Sequence, residues 1–360
     1  ELARIVVRSG ALALGLGVLL LLAQEVLLAG ALAVMEAPDT VNAITTEYFR
    51  IRIWAAPATL LVYAVTGVLF GQGRSRAVLA LQLALNLGNA VLNLWFVVGL
   101  GLGVPGVALG TLLAQWLAAL FAIGLLASAP GMPILRRAWR ESRTWEPSRF
   151  RRLLLINGFL FLRTVLLMIA LTLIMRQAGL LGEVSKAASH VVTQFMLLIS
   201  LGLDGFAHAA EALAGGAWGD RRQGEFRRWV FLSGAWAALA SFAYALLFAF
   251  FGDAITASLT DIEPVREATR ALMPLVVALP LVAVWCYHFD GVFIGATAAG
   301  AMLATMALAF LVYLACLGPL TARFGLAGLW SAVLVFMAVR GFTQAAWYPR
   351  MLTALDQARG

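Results

Sequence analysis

The chain has 360 residues, of which 62% are hydrophobic, and its formal net charge at pH 7 is +8. Soluble domains average roughly 45 to 50% apolar residues, so this composition excludes an ordinary soluble domain and indicates a polytopic membrane protein. Arginine gathers between the apolar runs, which is typical of cytoplasmic loops and argues against nucleic-acid binding. Cys286 and Cys316 both lie in apolar spans and indicate neither a disulfide framework nor a metal site.

Ten apolar runs approach or exceed the length of about 20 residues that a helix needs to cross a bilayer. We therefore expect an all-α polytopic membrane fold. In chain order the runs are Ser9 to Met35, Ile51 to Gly71, Ala77 to Leu100, Val104 to Ala127, Leu153 to Gln177, Ala187 to Ala214, Trp229 to Phe251, Ala271 to Gly295, Ala299 to Leu317, and Leu326 to Trp347.

Arginine collects on every second connection, and this alternation sets the expected orientation. By the positive-inside rule, both termini and the connections at 72–76, 136–152 and 220–228 lie in the cytoplasm. The longest polar interruption divides the chain into two lobes. The expected parts are an N-terminal lobe at 1–128, a basic cytoplasmic linker at 129–152, a C-terminal lobe at 153–350 and a cytoplasmic tail at 351–360.

An internal repeat supports the division into lobes. Three landmarks recur in order at an offset of about 223 residues, and parallel repeats of this kind are a transporter signature. The landmarks are GVLFG at 67–71 with GVFIG at 291–295, Gly103 and Gly106 with Gly325 and Gly328, and Pro57 with Pro280. Because the second lobe carries six runs and the first only four, we expect two further spans upstream of Glu1. An inactive, truncated gene product is the open alternative.

Three ionisable residues interrupt the apolar segment 187–214. Asp204, His208 and Glu211 are spaced i, i+4 and i+7, so they share one helix face. Each charge at bilayer depth costs roughly 2.5 to 3.5 kcal/mol, and such residues usually face a bundle interior or a watery cavity. Glu211 can alternatively snorkel to the interface, and His208 is expected as a polar neighbour of Asp204 and not as a metal ligand.

Two arginines lie in the middle of apolar runs and need carboxylate or carbonyl partners. We expect Arg163 to lie close to Asp204, and Arg340 to pair with Asp290 or Glu211. An ion pair that only locks two helices is the open alternative for Arg163. Because buried carboxylates can bind and release protons near neutral pH, Asp204, Glu211 and Asp290 form a candidate protonation set.

Neutral polar side chains form a second candidate group, which either lines a substrate cavity or joins helices through hydrogen bonds. The group consists of Asn86, Asn89 and Asn93 on one helix face, Thr111 and Gln115 on the next run, and Asn157 in the second lobe. No phosphate loop, activated nucleophile or CxxC pair occurs in the sequence. We therefore expect no enzyme and no cofactor, with an ion gradient as the energy source.

Five segments together resemble the multidrug and toxic compound extrusion (MATE) family, and within it the DNA-damage-inducible, DinF-like branch. The segments are DGFAHAAEA at 204–212, WCYHFDGVFIGAT at 285–297, FRIRIWAAPATL at 49–60, GNAVLNLWFVVG at 88–99 and VRG at 339–341. The resemblance covers essentially the whole chain. It implies a twelve-helix, two-lobe fold around a V-shaped cavity, of which this chain would supply ten helices. It also implies export of organic, often cationic compounds across the bacterial inner membrane in exchange for protons or sodium.

The resemblance further implies where the coupling ion binds. Asn89 and Thr111 match first-lobe ion-site positions, but Asn93 replaces the family's carboxylate, and the proton-binding aspartate of the first family helix would precede this sequence. Asp290 matches an aspartate associated with cation coupling in a sister branch. The expected coupling residues are therefore Asp204, Glu211, Asp290, Arg163, His208 and Arg340.

The nearest alternative function is a flippase of lipid-linked intermediates from the same superfamily. That function would require a cationic cavity. Because Arg163 and Arg340 could supply the positive charge, the flippase remains an open alternative. A membrane-embedded enzyme fits less well, because Asp204 and Asp290 lie deep in their runs. The expected partners are the lipid bilayer and small organic substrates, with no nucleic acid, and the chain is expected to be a monomer.

Overall fold

The computed structural model describes residues 2–35, 38–126 and 132–357, and every regular element in these ranges is helical. The prediction of an all-α polytopic fold is confirmed. The helices are α1 (Leu2–Leu22), α2 (Gln24–Met35), α3 (Asp39–Arg52), α4 (Ala56–Gly71), α5 (Ser75–Leu94), α6 (Gly103–Leu126), α7 (Met132–Arg140), α8 (Pro147–Leu180), α9 (Glu183–Gly219), α10 (Gln223–Leu259), α11 (Glu263–Ala271), α12 (Met273–Gly295) and α13 (Ala299–Gln357).

Within the described ranges, nine helical segments are long and apolar enough to cross a membrane, whereas the sequence predicts ten runs. The difference arises in α13, which contains both of the last two predicted runs. Its 59 residues would extend about 88 Å, nearly three times the roughly 30 Å that one crossing needs. Gly325 breaks α13 with φ 56° and ψ −131°, so the segment consists of two helices.

The first predicted run, Ser9 to Met35, consists of two consecutive helices, α1 and α2. The helical hydrogen bonds continue through the junction, since Ala23 N donates to Leu19 O and Leu27 N donates to Ala23 O. The junction is therefore a local irregularity and not a loop. Ala127, the expected lobe boundary at 128, the start of the linker at 129–131 and the tail residues 358–360 lie outside the described residues.

The chain forms two compact units, Glu1–Arg151 and Arg152–Gly360. In the first unit, α4 packs against α1 and α6, and α5 packs against α6. Their shared apolar core includes Ala58, Val62, Leu69, Leu81 and Ala122. The segment expected as a polar linker contains the helix α7, which packs on α1, and it belongs to this unit.

The second unit is built on α9, α10, α12 and α13, whose backbones approach one another closely. Phe195 and Phe248 meet edge to face in its core with ring centroids 5.0 Å apart. Trp330 is 1% exposed, and its indole N–H donates to Ser189 Oγ at 3.2 Å, which satisfies the polar end of a buried aromatic side chain.

Backbone conformations recur at the offset of the sequence repeat. Gly103 and Gly325 have φ values of 57° and 56°. Gly73 and Thr297, each two residues after the end of its helix, have φ values of 68° and 56°. Because a β-branched residue seldom adopts positive φ, the conformation of Thr297 indicates that the turn itself is a repeated feature.

Candidate functional site

Six acidic or basic side chains line one cavity of about 470 Å³ in the second unit. Helices α8, α9, α12 and α13 supply its walls. The six are the expected coupling residues, namely Arg163, Asp204, His208, Glu211, Asp290 and Arg340. The structure brings them together, although they are spread over residues 163–340 of the chain.

Glycines fix the crossing of the two helices that supply the carboxylates. A Cβ atom on Gly291 of α12 would overlap the carbonyl of Ala207 on α9, and one on Gly295 would overlap the carbonyl of Glu211. Small residues at this spacing let two membrane helices approach backbone to backbone. The close crossing places the acidic faces of α9 and α12 on the same cavity.

Asp290 is the centre of a buried polar cluster. Arg163 of α8 forms an ion pair with its Oδ2 atom. Arg340 Nη2 donates to the same oxygen at 2.9 Å, and Gln344 Nε2 donates to Oδ1 at 2.7 Å. The side chains of Asp290 and Arg340 are only 11% and 3% exposed, so this cluster is largely shielded from solvent.

The surroundings of the two arginines agree with what the sequence predicts and add one partner. Arg163 was expected close to Asp204, and the two residues line the same cavity, but the ion pair of Arg163 is with Asp290. The carboxylate of Asp204 instead accepts a hydrogen bond from Ser200 Oγ, one turn earlier on α9, at 3.2 Å. Arg340 pairs with Asp290, one of its two expected partners.

The acidic face of α9 forms the opposite wall of the cavity. Asp204, His208 and Glu211 lie on it as the i, i+4, i+7 spacing predicts. His208 Nδ1 lies 3.4 Å from Glu211 Oε2, and the two side chains are 51% and 26% exposed. This face is therefore more accessible than the cluster around Asp290.

Charge and shape together describe what the cavity can bind. Three carboxylates face two arginines, which gives a formal charge of −1 when His208 is neutral. Long apolar side chains complete the lining, and methionine in particular adapts to ligands of different shape. These side chains are Leu167, Met168, Leu171, Met196, Leu197 and Met337.

Sequence reasoning missed Ser200, Tyr287 and Gln344, which line the cavity or bond to Asp290. Helical spacing could have identified two of them. Ser200 precedes Asp204 by four residues and Gln344 follows Arg340 by four, so each shares a helix face with a residue that was recognised.

The six neutral polar residues expected to line a substrate cavity are absent from the lining of this one. Asn93 Nδ2 donates to Asn89 Oδ1 at 3.0 Å, and Thr111 Oγ1 donates to the carbonyl of Val107. Asn157 donates to the carbonyl of Leu153 within α8. Asn86, whose side chain is exposed, and Gln115 remain predicted substrate-cavity residues.

His288 lies outside the cavity, although it is a near neighbour of Asp290 in sequence. Its side chain is 3% exposed and packs over Gly234 of α10. Within the part of the chain that the structure describes, no group of three or more His, Cys, Asp or Glu side chains is arranged to hold a metal ion.

Comparison with known proteins identifies relatives of this chain in a bacterium and in a plant. No family model matches the chain. DNA damage-inducible protein F of Escherichia coli is 34% identical over 360 residues, which cover 97% of this chain and 75% of that protein. Protein DETOXIFICATION 44, chloroplastic, of Arabidopsis thaliana is 28% identical over 84% of this chain and 56% of its own length.

Solved structures share the fold. A MATE transporter from Vibrio cholerae superposes with a TM-score of 0.83 at 20% identity, covering 98% of this chain and 79% of that one. A MOP superfamily transporter from Pyrococcus furiosus, whose binding pocket of reversed polarity suggests a different function, gives a TM-score of 0.85 at 19% identity over 98% of this chain and 79% of that one.

Proposed function

The chain belongs to the MATE family of membrane transporters, and we propose that it is a secondary antiporter that exports organic, often cationic compounds in exchange for protons or sodium. The observation that carries this proposal is a cavity in which an acidic helix face and apolar side chains surround the Asp290 cluster. The proposed setting is the bacterial inner membrane, with both termini in the cytoplasm, and the proposed active form is a monomer.

The charge of the cavity favours a cationic substrate. With His208 neutral, the lining carries one more negative charge than positive. In a site partly shielded from water, this excess attracts an organic cation more strongly than it would at an exposed surface. The apolar lining accommodates the hydrocarbon part of such a molecule. A flippase for anionic lipid-linked intermediates would require the opposite excess of charge.

The two groups of carboxylates have different proposed roles. Asp290 is held by two arginines and Gln344, so a proton or sodium ion would have to displace existing partners to bind there. The Asp204 carboxylate accepts a hydrogen bond from the neutral hydroxyl of Ser200. We therefore assign uptake of the coupling ion first to Asp204 and then to Glu211, with Asp290 as the anchor.

Binding of a proton or sodium ion at Asp204 removes the excess negative charge of the cavity. The electrostatic attraction that retains a cationic substrate then weakens, and the substrate is released. Exchange results because the substrate and the coupling ion compete for one set of carboxylates. Alternating access opens these carboxylates to only one side of the membrane at a time.

Helix α8 is the proposed moving wall. Among the described helices, α9, α10, α12 and α13 pack closely, whereas α8 makes few close backbone approaches. Its ion pair from Arg163 to Asp290 joins it to α12 at the cavity. A change in the charge of the cavity alters the strength of this link and therefore biases the position of α8.

Transport by proteoliposomes tests the proposal. The purified protein is reconstituted with a fluorescent organic cation, and efflux is driven separately by a pH gradient and by a sodium gradient. The Asp204→Asn variant should lose at least about 90% of gradient-driven efflux, because the carboxylate that takes up the ion is gone.

The matched control is Glu183→Gln, which removes an exposed carboxylate from the first turn of the same helix. This variant should transport at the parental rate. Parental efflux by Asp204→Asn would contradict the assignment of that residue. Failure of both gradients to drive efflux in the parent would contradict antiport and favour the flippase alternative.

A further inference from the structure

Three arginines border an open groove on α7, in the first unit. The groove has a volume of about 500 Å³ and is lined by Pro133, Arg136, Arg137, Arg140 and Glu141. The three arginine side chains are exposed and lie within little more than one helical turn. We name this arginine triplet and its surroundings the α7 groove.

The carboxylate in the α7 groove is already engaged. Glu141 accepts a hydrogen bond from Arg4 of α1 at 2.7 Å and lies 3.7 Å from Arg137. Three arginines therefore face one carboxylate that is shared with a further arginine. The groove keeps a local excess of positive charge, which is suited to an anionic ligand.

The chain path places the α7 groove at the membrane surface. Candidate span α6 ends at Leu126, shortly before α7, and candidate span α8 begins at Pro147, shortly after it. Contacts with α1 hold the segment in position, since Arg8 donates to the carbonyls of Thr144 and Arg143 at 2.8 and 2.9 Å. A segment confined between two spans in this way lies at headgroup level.

Aromatic residues beside the groove match that location. Trp139 is 55% exposed and Trp145 is 38% exposed. Their rings meet edge to face at 4.8 Å, and Trp145 Nε1 donates to the carbonyl of Trp139 at 2.8 Å. Tryptophan is enriched where a polar and an apolar medium meet. Ile134, which is 52% exposed, adds apolar surface on the same helix.

We propose that the α7 groove is a binding site for the headgroup of an anionic phospholipid, with phosphatidylglycerol as the representative ligand. The guanidinium groups of Arg136, Arg137 and Arg140 would hold the phosphate through charge-assisted hydrogen bonds. Trp139 and Ile134 would contact the glycerol and upper acyl region. Basic pockets beside membrane helices recognise lipid headgroups by this chemistry. The site is independent of the transport function proposed above.

Lipid binding can be measured by native mass spectrometry of the purified protein in detergent. Dioleoylphosphatidylglycerol and dioleoylphosphatidylcholine are titrated separately, and inorganic phosphate is added as a competitor. The test variant carries Arg136→Gln, Arg137→Gln and Arg140→Gln. The matched control carries Arg221→Gln, Arg227→Gln and Arg228→Gln, which removes three exposed arginines from another basic connection.

The parent and the control should bind phosphatidylglycerol at least about tenfold more tightly than phosphatidylcholine, and the test variant should lose this preference. Equal preference in the test variant and the control would overturn the proposal. Displacement of the lipid by millimolar inorganic phosphate would also overturn it, because the site would then bind free phosphate. If the triple variant fails to fold, Arg137→Gln alone, at a side chain 85% exposed, should weaken the preference severalfold.

Discussion

Two aspartates in one cavity have different surroundings, and we propose different roles for them on that basis. Asp290 accepts hydrogen bonds from Arg340 and Gln344 and pairs with Arg163. Asp204 is bonded to Ser200, a neutral hydroxyl. Removing one partner from a buried ion cluster leaves uncompensated charge, whereas neutralising a carboxylate bonded to a hydroxyl does not. Stability should therefore depend on Asp290, and ion exchange on Asp204.

The Asp290→Asn substitution should lower the free energy of unfolding by about 3 kcal/mol, because two guanidinium groups lose their shared counter-charge in a shielded site. The shift is measured as the fall in thermal unfolding midpoint of the protein in detergent. Asp253→Asn is the control, since the pair of Asp253 with Arg270 has side chains 64% and 58% exposed. An exposed pair contributes about 0 to 1 kcal/mol, so equal falls in both variants would contradict a structural role for Asp290.

At the scale of elements, the crossing of α9 and α12 decides where the cavity lies. The segment GVFIG of α12 presents Gly291 and Gly295 to the backbone of α9. The repeated segment GVLFG of α4 has a different environment, because a Cβ on Gly67 or Gly71 would meet no described atom within 4 Å. The same sequence pattern is thus a helix contact in the second unit and an open face in the first.

The Gly291→Ala substitution should destabilise the protein by about 1 to 3 kcal/mol, because the new methyl group would overlap the carbonyl of Ala207 and force α9 and α12 apart. Gly67→Ala at the equivalent position should leave stability unchanged or raise it slightly, since alanine favours a helix and the space is open. Thermal unfolding of the two variants of this 360-residue chain gives the comparison. Equal changes in the unfolding midpoints of the two variants would contradict the proposed role of the α9–α12 crossing.

At the scale of the whole molecule, arginine distribution sets the expected orientation. Arginines are concentrated in the α7 segment and in the connection at 220–228, whereas the connection at 260–262 contains an aspartate and no arginine. The structure places Asp261 on an exposed connection before α11, and Arg143 on an exposed turn before α8. The positive-inside rule predicts that these two positions lie on opposite sides of the membrane.

Cysteine labelling in intact cells checks this orientation. A membrane-impermeant maleimide should label Asp261→Cys directly but label Arg143→Cys only after the membrane is permeabilised. Both substitutions are made in a background in which Cys286 and Cys316 are replaced by alanine, so that the native thiols do not react. Direct labelling of Arg143→Cys with protection of Asp261→Cys would reverse the proposed topology.

The sequence by itself determined the features that depend on local pattern. Apolar run length identified the membrane-crossing helices, and the i, i+4, i+7 spacing placed Asp204, His208 and Glu211 on one face. The sequence offset also paired Gly103 with Gly325, and the structure gives both glycines a positive φ. These properties follow from helix geometry and the thickness of a bilayer, which need no knowledge of distant contacts.

Only the tertiary structure decided which charges meet. Sequence position placed Arg163 and Asp204 at similar depth, and only the tertiary structure showed that Asp290 is the ion-pair partner of Arg163. The packing of α12 against α13 brings Gln344 to Asp290, and the packing of α12 against α10 places His288 beside Gly234. Partner choice depends on the rotation and crossing of each helix, and these are set by small residues such as Gly291 acting across the sequence.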